Sequence, residues 1–438
     1  MKTLVKRPNG HNGIPEGYKA VGERKADTYK KEAPYGHTSM RKDPRYTEEI
    51  LDTMRKIAGT MPAYKEFVFF VKAVRDHYLA DFENGSPKII VLGSNIPEEL
   101  VFASGIAPYW VLGGSRSSSM WADDLVPRDT DPVSRSGLGY LKSGFAKRAL
   151  ILLPLVCDSS RKLAYILKTM GLKVHTFHFP PVKNEDSIEE WNRQYEACRL
   201  AVARHLKRPL TERALEKSRE QIRQAKLKIH DFIQASEGIL NGSCRMFILG
   251  SYYCMNNFAE WCSQLECLTA RLRKEKQAHP AGYYKSIGKS RVLLLGSPVY
   301  FPNYKIPFLI EETGMEICLQ ADYTTSQIQS VPNWEGGFAD VFYSNDVSPA
   351  YVRNDSLYKL AVKMVSEQKV EGIVYHVLKG QIEYDFELGR LENAFEKMDI
   401  PVFRLETDYN YQDVEQLRIR LEAFLEVLQQ KNYGGKAI

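Results

Sequence analysis

The sequence of 438 residues predicts an α/β protein with two doubly wound parallel-sheet domains and a helical segment between them. An apolar run that ends in Gly-Ser occurs at 89–94 and again at 291–297. Each run fits a buried parallel strand that enters a turn. Between the two runs, residues 187–276 are highly charged, and their apolar positions are spaced as on one face of a helix. We therefore expect two related Rossmann/flavodoxin-like halves, with ligands at the carboxyl ends of the strands.

The first half begins with two predicted helices, at 47–56 and 64–82. Asn95 and Glu98 are spaced as a side-chain capping pair for the helix that follows the first strand. The diproline at 180–181 ends this half. The other predicted elements are strands at 88–93, 109–112, 149–156 and 173–179 and a helix at 162–170.

The second half is predicted to follow a linker at 279–289 and to end in a helix with an apolar face. Residues 246–251 show the same Gly-Ser pattern as the two strand starts, so the repeat alone is weak evidence. Predicted strands lie at 291–296, 316–320, 372–377 and 401–405. The predicted domains are a basic N-terminal arm (1–45), a first α/β domain with N-terminal helices (46–185), a helical segment (186–285) and a second α/β domain (286–438).

Composition and charge argue against several classes of protein. The net charge of +6 is small, and its excess lies in the first 45 residues, which we interpret as a solvated or subunit-wrapping arm. Stacking aromatics interleaved with a basic patch are missing, so we expect no nucleic-acid binding. No apolar run approaches the ~20 residues of a membrane span. Without an apolar leader, a cytoplasmic location is expected.

Seven cysteines without a CxxC pair predict neither a zinc site nor a disulfide framework. Cys157 directly follows a predicted strand and precedes a helix start, where the helix-end potential favours a metal-binding thiolate. A buried structural cysteine fits that position equally well. The four cysteines within 24 residues are better explained by helix packing than by an iron–sulfur cluster; they are Cys244, Cys254, Cys262 and Cys267.

Two turns could hold an anion, because each places backbone N–H groups at a predicted helix start. They are Gly93-Ser94-Asn95 and Gly296-Ser297-Pro298. A structural turn is the preferred interpretation of both, since neither contains a complete nucleotide-binding motif.

The order of several motifs resembles one known family. They are Pro97-Glu98-Glu99-Leu100, Leu153-Pro154-Leu155-Val156-Cys157-Asp158, Glu311-Glu312-Thr313-Gly314 and the segment 401–409. Together they resemble the 2-hydroxyacyl-CoA dehydratase superfamily, which includes the benzoyl-CoA reductase subunits. The resemblance covers the chain from about residue 45 onward.

The resemblance implies one subunit of an oxygen-sensitive acyl-CoA enzyme. Such enzymes hold [4Fe-4S] clusters through three cysteines per subunit and combine homologous sister subunits. A separate ATP-hydrolysing iron–sulfur activator supplies an electron, which reduces an aromatic ring or forms a ketyl radical on the thioester. This chemistry requires a dry pocket.

The sequence departs from the family pattern at the cluster ligands. The family's first cysteine falls on Asp131, its last on Gln381, and another on Thr324, so only Cys157 remains. Carboxylate or amide oxygen replaces thiolate poorly on iron. Three interpretations stay open: an unusual cluster with a ligand from a partner, a substrate-binding half without a cluster, or a scaffold.

Within the resemblance, the larger benzoyl-CoA reductase subunit is the preferred match, with a 2-hydroxyacyl-CoA dehydratase subunit as the alternative. Glu99 and Ser94 are the predicted catalytic contacts at the acyl end, although Glu99 serves equally well as a helix-dipole partner. The CoA phosphates require cations. The residues predicted to bind them are Arg135, Arg161 and Lys379.

Overall fold

Two four-stranded parallel sheets form the framework of the protein. The computed structural model describes residues 40–79, 87–278, 289–322 and 337–434. The first sheet has the order β2-β1-β3-β4 and the second has the order β6-β5-β7-β8, so both halves share one topology. The predicted fold class is confirmed. The strands are β1 (Ile89–Leu92), β2 (Tyr109–Val111), β3 (Leu150–Leu155), β4 (Lys173–His178), β5 (Arg291–Gly296), β6 (Glu316–Asp322), β7 (Gly372–Leu378) and β8 (Val402–Thr407).

Helices surround both sheets, and four of them form the predicted helical segment between the halves. Most of the predicted basic arm (1–39), most of the linker (279–288) and Thr324 lie outside the described residues. The described helices of the first half and the helical segment are α1 (Pro44–Thr60), α2 (Phe67–Leu79), α3 (Glu98–Phe102), α4 (Arg116–Met120), α5 (Pro132–Lys142), α6 (Asp158–Thr169), α7 (Glu185–Leu206), α8 (Glu212–Ser236), α9 (Gly242–Gly250) and α10 (Phe258–Ala278). Those of the second half are α11 (Lys305–Glu312), α12 (Phe338–Asn345), α13 (Asp355–Glu367), α14 (Ile382–Lys397) and α15 (Val414–Gly434).

Burial follows the apolar patterns of the sequence. All four residues of β1 are buried, as expected for a parallel strand covered on both faces. On α8, Leu215, Ile222 and Phe232 are buried along one face, as the helical spacing predicts. In the described part of the chain, no helix combines the length and the apolar character needed to cross a membrane.

Two local predictions are wrong. Asn95 does not cap α3, because its side chain donates to Asp346 Oδ2 at 3.3 Å, and the N-cap residue is Pro97, which makes no side-chain cap. The turn after β5 does not start a helix, since α11 begins only at Lys305. Residues 246–250, which repeat the Gly-Ser pattern, form α9 within the predicted helical segment. Each error concerns a short motif whose outcome depends on distant partners.

The two halves meet at loops that follow their strands. Tyr78 OH, at the end of α2, donates to the carbonyl of Phe301 at 3.0 Å, and Thr53 Oγ1 donates to Pro302 O at 3.0 Å. Gly114, just after β2, has φ +88°, and a Cβ there would lie 2.4 Å from Phe301 O. This close contact brings the loop after β2 against the loop after β5. In each sheet the strand order reverses between the central strands, which is where α/β proteins bind ligands.

Candidate functional site

Asp131 and Gln381 lie in direct contact, although they are 250 residues apart in the sequence. Asp131 is the N-cap of α5, and its Oδ1 accepts hydrogen bonds from the backbone N–H groups of Val133 and Ser134 at 3.0 and 3.1 Å. The same oxygen accepts a bond from Gln381 Nε2 at 3.3 Å. Gln381 stands immediately before α14, at the carboxyl end of β7. The contact therefore joins the two halves where the family pattern places two cluster ligands.

Cys157 lies beside this contact, at the carboxyl end of β3. It is the N-cap of α6, where its sulfur accepts a bond from Ser160 N at 3.4 Å. Burial, followed by the nearby carboxyl groups of Glu383 and Asp131, raises the pKa of the Cys157 thiol to about 12. This environment favours the neutral thiol over the predicted thiolate, because burial and the two carboxyl groups outweigh the helix-end potential.

The residues at this site do not fit the [4Fe-4S] cluster that the resemblance implies. Cys157 offers a single thiol, and Asp131 Oδ1 is already bonded to three N–H donors. Gln381 offers only an amide, a poor ligand for iron. Across the described ranges, no group of three or more His, Cys, Asp or Glu side chains could hold a metal ion. We therefore assign no cluster chemistry to this chain.

A cavity of about 740 Å³ opens next to the contact. Asp131, Ser134 and Gly380 form part of its wall, and Arg161 and Lys162 contribute exposed cations from α6. The apolar part of the wall consists of Leu125, Val126, Pro127, Leu138, Leu163, Tyr165 and Ile166. A second cavity, of about 750 Å³, contains none of the predicted site residues, so the first is the candidate site.

Of the three cations predicted to bind CoA phosphates, one lines this cavity and the other two make ion pairs outside its lining. Arg161 lines the cavity. Arg135 makes an ion pair with Asp123 and donates to Arg128 O at 3.0 Å. Lys379 makes an ion pair with Asp408 at 3.3 Å, with more than half of its side chain exposed. Of the three, Arg161 is best placed to meet an anionic ligand in the cavity.

The predicted catalytic residues lie apart from this contact. Ser94 is buried after β1, with its Oγ 3.3 Å from the hydroxyl of Tyr300, which belongs to the loop after β5. Glu99 is buried against the helical segment, where Tyr195 OH donates to it at 3.0 Å. Neither lines the 740 Å³ cavity. Their catalytic roles stay predictions.

The remaining cysteines and His376 have structural surroundings. Cys318 is 2% exposed within β6 and belongs to the core. His376 is buried at the end of β7, and burial lowers its pKa to about 4. Of the four closely spaced cysteines, Cys244, Cys254 and Cys262 are buried in or beside helices, whereas Cys267 is exposed. Helix packing explains the buried three.

Two residues of the site were not found from the sequence. Glu383, in the first turn of α14, is buried enough that the pKa of its carboxyl rises to about 7, with Asp131 adding to the shift. Gly380 has φ +83°, and a Cβ there would lie 3.2 Å from Asp131 N. Their position after β7 is the one available signal, because ligands gather at the carboxyl ends of parallel strands.

Comparison with known proteins gives a family and two relatives. The family described as "2-hydroxyglutaryl-CoA dehydratase, D-component" matches residues 93–428. A putative dehydratase subunit, YjiM of Escherichia coli (strain K12), is 26% identical over 366 residues, covering 79% of this chain and 92% of the relative. The (R)-phenyllactyl-CoA dehydratase beta subunit of Clostridium sporogenes is 22% identical over 385 residues, which cover 83% of this chain and 98% of the relative.

These matches confirm the superfamily that the motifs resemble. They support the dehydratase alternative better than the preferred match to benzoyl-CoA reductase. The matched range contains Asp131, Cys157 and Gln381, so all three belong to the family region of the chain.

Proposed function

Because this chain belongs to the 2-hydroxyglutaryl-CoA dehydratase D-component family, we propose that it is the acyl-CoA-binding subunit of a 2-hydroxyacyl-CoA dehydratase-type complex. The observation that carries this proposal is the 740 Å³ cavity beside the Asp131–Gln381 contact. Its volume falls within the range of about 300–1,000 Å³ usual for small-molecule sites. The site therefore suits a ligand of moderate size at the expected sheet edge.

The lining of the cavity matches the chemistry of an acyl-CoA. Its apolar wall suits an acyl chain and the adjoining pantetheine, since such groups gain free energy by leaving water. Arg161 supplies positive charge for phosphate groups, and guanidinium binds phosphate through paired hydrogen bonds. Lys162 adds a second cation, which forms an exposed ion pair with Asp158 at 2.8 Å. Binding, orientation and exclusion of water are the tasks proposed for this chain.

The electron-transfer steps are proposed for other subunits. The Clostridium sporogenes relative is named as a beta subunit, which supports a heteromeric complex for this chain also. Because one thiol and two oxygen-bearing side chains do not fit a cluster, the redox group is proposed for a homologous sister subunit. An ATP-hydrolysing iron–sulfur activator is the expected electron donor. This assignment corresponds to the second of the three interpretations left open by the sequence, in which the chain is a substrate-binding half without a cluster.

The test is acyl-CoA binding by the chain purified anaerobically with its sister subunit. Isothermal titration with 2-hydroxyglutaryl-CoA, (R)-phenyllactyl-CoA and benzoyl-CoA measures each dissociation constant. Arg161→Ala is expected to weaken binding about tenfold, the effect of losing one charged hydrogen bond. Lys168→Ala is the matched control, because Lys168 is exposed on the same helix but does not line the cavity. It is expected to leave the dissociation constant unchanged.

Three outcomes decide between the functions. Binding and dehydration of a 2-hydroxyacyl-CoA by the complex with its activator support the proposal. Binding of benzoyl-CoA alone, with reduction of its ring, would establish the reductase alternative instead. Failure of all three thioesters to bind would overturn the proposal.

A further inference from the structure

Two buried oxygen atoms at the candidate site accept no hydrogen bond from any described residue. They are Oδ2 of Asp131 and Oε1 of Gln381. The two residues are 2% and 7% exposed. A buried polar atom without a partner loses its hydrogen bonds to water and gains none in return, so such atoms call for an explanation. A ligand that supplies a donor would remove this cost.

The surroundings hold Asp131 in a fixed position at the cavity wall. Oδ1 is fixed by the N–H groups of Val133 and Ser134 and by Gln381 Nε2. The carboxylate therefore cannot turn without breaking the cap of α5. Asp131 lines the cavity, and so does Gly380, the residue immediately before Gln381. Oδ2 is thus a preorganised acceptor next to the space proposed for the acyl group.

The chemistry of the two oxygen atoms indicates which kind of ligand group could bind them. Both are acceptors, so the group must donate a hydrogen bond. The cations in the same cavity, Arg161 and Lys162, suit the anionic end of a thioester ligand, and the apolar wall suits its chain. A hydroxyl on the acyl group is a neutral donor, and its bond to a carboxylate is among the stronger hydrogen bonds.

We propose that Asp131, positioned by Gln381, accepts a hydrogen bond from the 2-hydroxyl group of a 2-hydroxyacyl-CoA and thereby selects it over the acyl-CoA without a hydroxyl. This inference rests on the proposed function. It gives the positions that the resemblance assigns to cluster ligands a different task in this chain. Asp131 is the specificity-determining acceptor, and Gln381 holds it in place through its Nε2 hydrogen bond.

The test compares thioesters that differ only in the hydroxyl. The pairs are 2-hydroxyglutaryl-CoA with glutaryl-CoA and (R)-phenyllactyl-CoA with 3-phenylpropionyl-CoA, each titrated into the purified complex. We expect the hydroxylated member to bind about tenfold more tightly, the effect of one charged hydrogen bond. Asp131→Asn is expected to abolish this preference. Asparagine still caps α5, but its amide presents a donor where Oδ2 presented an acceptor.

Asp129→Asn is the matched control. Asp129 is exposed and lines the same cavity, so this change removes the same charge without touching the buried acceptor. It should preserve the preference, and thermal unfolding of both variants verifies that they fold. Equal affinity for the two members of a pair in the wild type, or an intact preference in Asp131→Asn, would overturn the inference and leave acyl-CoA binding in place. Absence of binding by both pairs would overturn the inference together with the proposed function.

Discussion

Glu99 is a carboxyl group held inside the protein between α3 and α7. Glu99 is 5% exposed, and its Oε1 accepts a hydrogen bond from Tyr195 OH at 3.0 Å. Burial raises the pKa of Glu99 from 4.5 to about 7. The folded protein therefore holds this proton more strongly than the unfolded chain does. Between pH 4.5 and 7, the Glu99 contribution to the free energy of unfolding falls as the pH rises.

Glu99→Gln should remove this dependence, because glutamine stays neutral and still accepts a bond from Tyr195. Relative to the wild type, the variant should gain stability as the pH rises from 4.5 to 7, by on the order of 3 kcal/mol. Urea unfolding at a series of pH values measures the difference. Glu196→Gln is the control, since Glu196 is a largely exposed carboxylate on the same helix as Tyr195. A constant difference across this pH range for Glu99→Gln would contradict the prediction.

At the scale of single residues, the sequence indicates position better than chemical state. Cys157 is the N-cap residue that its place after an apolar strand predicts. Its environment nevertheless favours the neutral thiol, because burial and the carboxyl group of Glu383, which belongs to the other half of the molecule, raise the pKa of the thiol. Glu99 likewise has its partner in α7, almost a hundred residues away. Local sequence could not indicate either neighbour, because both depend on how the halves and the helical segment pack.

At the scale of elements, the loop between β7 and α14 determines how the second half meets Asp131. Gly380 has φ +83°, a conformation that costs a residue with a Cβ roughly 1 kcal/mol or more. An added Cβ would also lie 3.2 Å from Asp131 N and 3.3 Å from Asp131 Cα. The loop therefore depends on glycine for its conformation and for its close approach to α5.

Gly380→Ala should destabilise the protein by more than its backbone conformation alone explains. Gly144 provides the matched control, since its φ is +88° and an added Cβ there meets nothing within 4 Å. We expect Gly144→Ala to lower the free energy of unfolding by about 1 kcal/mol and Gly380→Ala by about 2 kcal/mol or more. Urea unfolding of both variants measures these losses. Equal losses would show that the contact between the loop and α5 contributes nothing.

The success of prediction at this scale depends on the length of the pattern. The central strands β1, β3, β5 and β7 follow from apolar runs, and the buried face of α8 follows from regular spacing over more than three turns. Residues 246–250 carry the same short Gly-Ser pattern as the strands but form α9. Asn95 bonds to Asp346 rather than capping α3. A motif of a few residues is therefore decided by tertiary contacts that local sequence does not specify.

At the scale of the whole molecule, contacts in several places tie the second half to the rest of the chain. Trp191 Nε1, in α7, donates to Ala339 O at 2.8 Å, and Lys183 Nζ donates to Asp346 O at 2.7 Å. The guanidinium of the buried Arg245 donates to Cys318 O at 2.9 Å, in β6. Opening either sheet would expose these groups to water or leave them without partners. The region from Ser39 to Ile438 accordingly forms one compact unit.

This coupling predicts that the two sheets unfold together. Amide protons of the central strands, β1 and β3 in one sheet and β5 and β7 in the other, should exchange only through global unfolding, with the same free energy. Hydrogen exchange followed by mass spectrometry at increasing urea concentrations measures that free energy for each strand. If β5 and β7 exchanged at a lower urea concentration while β1 and β3 stayed protected, the halves would be independent folding units. Common behaviour of all four strands would instead show that the two halves unfold cooperatively, so that the Asp131–Gln381 contact, which requires both sheets to be folded, is lost only in global unfolding.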